Sequence, residues 1–199
     1  DELSYDRYHE NAERIYRVQS HITETDDEFT WLVAQVPFAD QVVKDYPDIE
    51  SACRFINFQR ALFIQEDIEF IEENFFYADT TVFDIFTYNF IYGNPERALA
   101  RPNDIVVTKT IALKYFGDTD PVGKTLKSGE VIYEVTGVIE DVPTDSHFRF
   151  DALISRMSLP DPIPPQMGGT WGNFGVFTYL LFPENVNVED FEVKMQEMY

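Results

Sequence analysis

A hairpin-like stretch in the second half of the chain constrains the fold most. The segment Val131–Asp141 opens with strict alternation, in which every second residue is Val or Tyr. A period of two is typical of a half-buried β-strand. The turn signal Ser128-Gly129 separates this segment from Val122–Lys127, so the two arms are predicted to form a β-hairpin.

Further strands and helices are predicted on both sides of this hairpin. Alternation indicates a half-buried strand over Arg14–Thr23, and apolar spacing indicates a short amphipathic helix over Pro37–Tyr46. Ile49–Gln65 is predicted to form one or two strands, which completes a β-α-β unit in outline. The later predicted elements are strands at Ile105–Val107, Phe148–Ile154 and Phe177–Phe182, a helix over 109–116 between Thr108 as N-cap and Gly117, and an amphipathic segment at Val188–Met198. The mixture predicts an α+β fold.

The composition of the chain changes near residue 66. Five of the nine residues in Glu66–Asn74 are acidic. An aromatic block follows, made of Phe75, Phe76, Tyr77, Phe83, Phe86, Tyr88, Phe90 and Tyr92. This change predicts entry into a second lobe, and the strand predicted from Phe148 would return the chain to the first. Because the acidic run lacks the register of a calcium-binding loop, it is interpreted as a solvated face.

The net charge excludes one large class of partner. The chain carries 15 Lys and Arg against 36 Asp and Glu, a formal net charge of −21. A field of that sign repels phosphate backbones and anionic lipid head groups, which excludes nucleic-acid binding by the bulk surface. The chain contains no apolar run long enough to predict a membrane span. Its start at Asp1 without Met predicts a processed product or an excised fragment.

Motifs for catalysis and cofactor binding are incomplete. Gly117–Thr125 resembles a phosphate-binding P-loop, but it has five residues between its glycines and is predicted to follow a helix and precede a strand. His9, His21 and His147 lack the spacing of a metal site and are interpreted as surface or capping residues. Cys53 is interpreted as a small core residue. We therefore expect no catalytic residue, no cofactor and no metal ion, with a hydrolase built on paired carboxylates as an open alternative.

An aromatic loop near the C-terminal strand is the candidate contact site. Trp171 and Phe174 lie in a segment with Gly172 and Asn173 that is predicted to be flexible. The loop either forms an exposed surface for a partner or folds back on its own lobe, and the sequence leaves both alternatives open.

Several separated segments, in order along the chain, carry a resemblance to one family. They are Phe83-Asp84-Ile85-Phe86, Gly93-Asn94-Pro95, Ile105-Val106-Val107-Thr108, Tyr115-Phe116-Gly117, Asp120-Pro121-Val122-Gly123-Lys124-Thr125-Leu126, Tyr133–Pro143, Ser146-His147-Phe148 and Phe150-Asp151. Together they resemble the MacB-type periplasmic core domain of FtsX-like ABC transporter permeases. The N-terminal segment Tyr5–Val18 is similar to the segment that follows the first transmembrane helix in such permeases.

The resemblance implies a domain with two lobes. A porter-like lobe of β-α-β units would come from both ends of the chain, residues 1–65 and 147–199, with its second part truncated at the C-terminus. A mainly β, Sabre-like lobe, residues 66–146, would be inserted between the two parts. Such domains stand on the membrane between the first and second transmembrane helices, so both chain ends are expected on one side of the fold.

The resemblance also implies a function without catalysis. In such transporters a cytoplasmic ATPase, joined through the transmembrane helices of the permease, supplies the energy. The periplasmic domain relays the conformational change to a client or partner, in export, lipoprotein extraction or signalling. A second permease copy and an unknown periplasmic protein are the other expected partners. The alternative is a periplasmic binding module that captures a peptide, lipid-linked or small-molecule ligand in a cleft between the lobes, with Trp171 and Phe174 in contact.

Overall fold

The computed structural model describes residues 6–24, 27–58, 60–160, 163, 170–184 and 186–198. Within them the strands are β1 Ile15–Arg17, β2 Ser20–Glu24, β3 Asp27–Trp31, β4 Ala34–Gln35, β5 Ser51–Asn57, β6 Ala61–Gln65, β7 Ile68–Glu72, β8 Phe75–Ala78, β9 Phe90–Gly93, β10 Asp104–Thr108, β11 Thr125–Ser128, β12 Val131–Ile139, β13 Ala152–Ser155 and β14 Phe174–Leu181. The helices are α1 Phe38–Asp45, α2 Val82–Ile85, α3 Lys109–Phe116 and α4 Val188–Met198. The α+β class is confirmed.

One mixed sheet contains twelve of these strands. Its order is β1-β14-β5-β8-β13-β10-β12-β11-β6-β7, with β4 beside β14 and β9 beside β12, while β2 and β3 form a separate hairpin. The pairs β10–β12 and β8–β13 are parallel, whereas the other pairs in the described part of the chain are antiparallel. The predicted hairpin is confirmed as β11–β12. Because Ser128 pairs with Val131, its turn is Gly129-Glu130, one residue later than predicted.

The sheet is strongly curled. Five strands lie between β5 and β6 in the sheet, so in a flat sheet the two would be about 29 Å apart. Only three residues connect them along the chain, and these reach at most about 14 Å. The curl brings the ring centroids of Phe63 in β6 and Phe75 in β8 to 4.5 Å.

Three large apolar clusters fill the domain. The first joins the centre of the sheet to α2, and contains among others Cys53, Phe55, Phe76, Ile85, Leu99, Val106, Phe150, Leu153 and Tyr179. The second lies inside the curl under α3, and contains among others Phe63, Phe75, Ile105, Ile111, Tyr115, Leu126, Tyr133 and Ile154. The third packs α1 and α4 against β14 through Val18, Phe38, Val42, Ile49, Leu180, Phe182, Phe191 and Met195. The first two clusters draw on residues inside and outside 66–146, so the core is continuous across the predicted lobe boundary.

Two predicted strands differ from the observed ones. The segment 14–23 is divided into β1, which pairs with β14, and β2, which leaves the large sheet to pair with β3. The strand predicted from Phe148 begins only at Ala152, because the rings of Phe148 and Phe150 pack into the first cluster instead of alternating along a ladder.

Helix α3 begins and ends as the sequence predicts. The Thr108 side chain accepts a hydrogen bond from the main-chain N–H of Ile111, and Gly117 adopts a positive φ of 66°. A helix therefore precedes the P-loop-like segment and β11 follows it, the reverse of the order that phosphate binding requires. Among the described residues, no helix combines the length and apolar character needed to cross a membrane.

Candidate contact surface

The two ends of strand β14 define two regions of the domain, called here the near pole and the far pole. At the near pole the end of β14 lies beside the start of β1, because Leu181 pairs with Ile15. The Phe182 N–H also donates to the Arg14 carbonyl at 3.0 Å. Seven residue steps away, about 23 Å along the strand, Phe174 begins β14 at the far pole. The chain therefore enters β1 and leaves β14 at the near pole.

Exposed aromatic side chains gather at the far pole. The Trp31 ring meets the Phe174 ring edge to face with centroids 5.3 Å apart, and the ring centroids of Phe29 and Trp31 are 5.5 Å apart. Trp171 is three residues before Phe174 in the turn that leads into β14. Trp31 and Trp171 are both 44% exposed. The residues Phe29, Trp31, Trp171 and Phe174 are called here the far-pole aromatic surface.

Two local features build this surface. In the β2–β3 hairpin, Phe29 and Trp31 are two residues apart, so their side chains lie on the same face of β3. Phe174 is held by pairing with Gln35 of β4. Aromatic rings in edge-to-face contact stabilise each other beyond their burial, by about 1 kcal/mol.

Of the two predicted contact residues, Phe174 meets the Trp31 ring, and Trp171 is counted in this surface because it lies three residues before Phe174. Trp171 is exposed, while Phe174 is half-buried against Trp31. The sequence reasoning missed Phe29 and Trp31, although their alternation after the acidic residues at 26–28 was a usable signal. A role in partner contact stays a prediction for Trp171 and Phe174.

A buried arginine cross-links several segments in the first half of the chain. The Arg54 side chain on β5 is 4% exposed. It donates to the Asp79 carboxylate at 2.8 and 3.0 Å and to the Asp40 carboxylate on α1 at 2.7 and 3.0 Å. It also donates to the Val36 carbonyl at 3.0 Å. Arg156, after β13, donates to the same Asp79 at 2.7 Å.

The charge of Arg54 is retained despite its burial. Burial alone lowers the pKa of Arg54. The hydrogen bonds that Arg54 donates to Asp79 and Asp40, together with the charges of these carboxylates, raise it by more, so the pKa lies above its usual value. One guanidinium thus links α1, β5 and the residue that follows β8. We interpret this cluster as a structural cross-link, because each of its donors is used by a fixed acceptor.

A second polar cluster lies beside β1. Asp6 accepts hydrogen bonds from the Ser146 hydroxyl at 2.8 Å and the His147 N–H at 3.1 Å, and it lies 2.8 Å from His147 Nδ1. The Ser146 hydroxyl also receives a bond from the Tyr8 hydroxyl at 3.2 Å. Serine, histidine and aspartate are present here, but the acceptors of the Ser146 hydroxyl are the Asp6 carboxylate and the Phe148 carbonyl, whereas a nucleophile needs the imidazole as base. The cluster fastens the segment before β1 to the loop after β12.

His9 is buried beside this cluster, so the predicted surface position is wrong for it. It is 5% exposed, and its ring lies 5.0 Å from that of Phe86. Its Nδ1 accepts the Thr87 N–H at 3.1 Å, which leaves the proton on Nε2. Burial lowers the pKa of His9, although Asp6 acts in the opposite direction. His21 and His147 are exposed, as predicted.

Three open cavities follow β1. One of about 830 Å³ is lined mainly by residues 6–14 and 182–188. Another of about 630 Å³ lies between β1 and α4, and a third of about 310 Å³ lies on the His9 side of β1. In the described part of the chain, the linings of these three include neither Trp171 nor Phe174.

Neither a cluster able to hold a metal ion nor an exposed thiol is found among the described residues. No group of three or more His, Cys, Asp and Glu side chains among the described residues is placed to hold a metal ion. Cys53 is fully buried in the first cluster, which confirms its interpretation as a core residue. Burial raises the pKa of its thiol well above the usual value.

The fold matches solved domains of permease and transporter proteins. A domain of a protein assigned as a permease from Porphyromonas gingivalis aligns with a TM-score of 0.78 and 24% identity, over 93% of this chain and 79% of that one. The periplasmic region of MacB from Actinobacillus actinomycetemcomitans gives 0.62 and 16%, over 83% and 72%. The extracellular domain of the ABC-type transporter YknZ from Gram-positive bacteria gives 0.59 and 11%, over 88% and 87%. At these identities the three structures show the fold.

The family follows from the sequence itself. Residues 1–198 match the profile of the MacB-like periplasmic core domain, so the chain belongs to that family. It is therefore an extracytoplasmic domain of the kind carried by ABC transporter permeases. A search of the curated proteins gave no match.

Proposed function

We propose that this domain relays an ATP-driven conformational change to a partner outside the membrane. Its permease would receive the change from a cytoplasmic ATPase through the transmembrane helices. The domain would take it up at the near pole and deliver it at the far-pole aromatic surface. The observation that carries this proposal is the separation of the two poles by the length of β14.

A mechanical relay needs a stiff connection between input and output. The first cluster and the twelve-stranded sheet run without interruption from β1 and β14 to β8 and β13. The Arg54 cluster adds charged bonds between α1, β5 and Asp79. Packed interiors have low compressibility, so a displacement at one end of such a body moves the other end.

Under this proposal each of the two predicted lobes corresponds to one of the apolar clusters. The third cluster, around α1 and α4, would form the core of the porter-like lobe from residues 1–65 and 147–199. The curl around the second cluster would form the centre of the Sabre-like lobe from residues 66–146. We propose that the lobes move together, because β5, β8 and β13 pair across their boundary.

The far-pole aromatic surface is proposed as the contact with the partner. Exposed Trp side chains bring a large apolar area at low entropic cost, and Trp is enriched at the centres of protein interfaces. Trp31 and Trp171 are the two Trp residues of the chain, and both lie at this surface. The partner would be a periplasmic client or adaptor protein, with a second permease copy as a further neighbour.

Site-specific photo-crosslinking in the full permease tests this contact. A photoreactive residue is placed at Trp171 or Phe174, and at Tyr92 as a control, since Tyr92 is also an exposed aromatic residue at 39%. We expect one discrete adduct from positions 171 and 174, with a yield that changes when the ATPase is inactivated. Equal adducts at positions 92 and 171, or yields independent of the ATPase, would contradict the proposal.

Ligand capture in a cleft is the alternative function. The cavity between β1 and α4 favours it, because Leu180, Phe182 and Phe191 give it an apolar floor. That ligand would lie away from Trp171 and Phe174. Filling this cavity with Val188→Trp would block capture, whereas the same substitution would leave a relay intact.

A further inference from the structure

The strand β7 ends the sheet at the edge opposite β1. It pairs with β6 on one side, and no partner strand lies on its other side among the described residues. Alternate N–H and C=O groups of an edge strand point outward, where a further strand can pair with them. The strand spans Ile68–Glu72, and its five residues contain no Pro that would block pairing.

Apolar side chains are exposed on both faces of this edge. On the outer face Ile71 is 53% exposed, beside its cross-strand partner Leu62 at 43%. On the opposite face Phe70 is 44% exposed. Proteins normally protect such edges with short strands, bulges or inward charges, so an unprotected apolar edge marks a site of pairing or aggregation.

The inner side of β7 is anchored and does not fray. Glu72 is 6% exposed, so it departs from the solvated face predicted for the acidic run. Its carboxylate accepts from Lys114 Nζ at 2.6 Å and from the Tyr115 hydroxyl at 2.7 Å, both on α3. Lys114 Nζ also lies 4.0 Å from the Phe70 ring centroid. A preformed edge reduces the ordering cost of adding a strand.

The charge around this edge selects its partner. Residues 60–73 contain five acidic residues and one Arg. Four of the acids, Glu66, Asp67, Glu69 and Glu73, are exposed. Two copies of β7 would bring these acids together in chains that each carry a net charge of −21, which opposes self-pairing. A basic strand would find the opposite charge instead.

We propose that β7 is a strand-addition site for an extended segment of another protein in which apolar residues alternate with Lys or Arg. The main chain of that segment pairs with the free edge of β7. Its cations lie on the face that carries Asp67, Glu69 and Glu73, and its apolar side chains lie on the other face, beside Phe70. This site lies at the opposite sheet edge from β1 and is independent of the relay and of the far-pole aromatic surface.

A designed peptide tests the site on the 199-residue chain. The probe is an eight-residue peptide of alternating Lys and Val with blocked ends, and the control peptide has Glu in place of Lys. We expect the Lys peptide to slow hydrogen exchange at the amides of β7, and its affinity to fall as salt rises. The Glu peptide is expected to leave these amides unchanged.

Two matched variants locate the site. Ile71→Arg puts a cation on the face where the Lys side chains of the peptide lie, so we expect about tenfold weaker binding of the Lys peptide. Ile132→Arg is the control, because Ile132 is 58% exposed on β12, a strand paired on both sides. We expect the Ile132→Arg variant to bind the Lys peptide within about twofold of the parent affinity.

Three results would overturn the proposal. The first is no change in exchange at β7 with millimolar Lys peptide. The second is equal weakening by Ile71→Arg and Ile132→Arg, with both variants shown to be folded by their thermal unfolding. The third is a concentration-dependent dimer that Ile71→Arg dissolves, which would identify a second copy as the occupant.

Discussion

Replacing Arg54 with Met tests the structural cross-link. Met keeps the unbranched apolar stem of Arg, but it has no donors for Asp79, Asp40 and the Val36 carbonyl. Breaking a buried charge cluster by removing one partner costs about 3–5 kcal/mol. Asp40 is 67% exposed and can be rehydrated, and Asp79 keeps its bond to Arg156 at 2.7 Å.

These two compensations place the expected loss of stability at the lower end of this range. We expect Arg54→Met to lower the free energy of unfolding by about 3 kcal/mol. For a chain of this size that loss corresponds to a fall in Tm of about 6–12 °C. The Val36 carbonyl contributes to it, because a buried acceptor is left without its donor.

Urea unfolding and calorimetry measure the difference. Lys109→Met is the matched control, since Lys109 pairs with Glu140 at 3.3 Å while both side chains are about half exposed. Solvent screening reduces such a pair, so we expect a change of at most about 0.5 kcal/mol. If the free energy of unfolding of Arg54→Met were within about 1 kcal/mol of the parent value, the cluster would not be a stabilising cross-link.

Three further predictions concern other positions in the fold. Gly93→Ala should destabilise the fold by about 3 kcal/mol, because the new Cβ would lie 2.4 Å from the Thr136 carbonyl oxygen at a φ of +90°. Gly117→Ala has open space around it, but its φ of 66° and ψ of −155° favour Gly, so it should cost about 2 kcal/mol by thermal unfolding. The lowered pKa of His9 means that the unfolded chain binds the proton more readily. Stability should therefore fall as the pH drops below 6.5, and His9→Gln should flatten that slope in urea titrations down to about pH 5.5. The Cys53 thiol should resist a thiol reagent at pH 8 until the chain unfolds, and prompt reaction would contradict its burial.

Local patterns predicted most elements, but the pairing of distant strands required tertiary information. The turn at Gly129, the cap at Thr108 and the helix α1 all depend on residues close in sequence. The position of β6 at the far edge of the sheet, three residues after β5, depends on packing inside the curl. No local pattern encodes such a crossover, because the stabilising contacts join residues far apart along the chain.

The candidate surfaces were predictable in part for a similar reason. Trp171 and Phe174 could be found from their loop composition, whereas Trp31 reaches Phe174 only through the β2–β3 hairpin. Glu72 was grouped with its acidic neighbours, although Lys114 and Tyr115 from α3 bury it. Arg54 lies in an apolar strand, and its acceptors come from three separate segments.

The distance of each pole from the membrane tests the relay most directly. A donor fluorophore is placed at Trp171 on the far pole or at Glu184 near the near pole, in the full permease reconstituted with its ATPase, and acceptors are placed on the lipid head groups. The proposed relay predicts stronger energy transfer from position 184 than from position 171, and a change at position 171 when ATP binds. Equal transfer from the two positions, or a signal at 171 that ATP leaves unchanged, would contradict it.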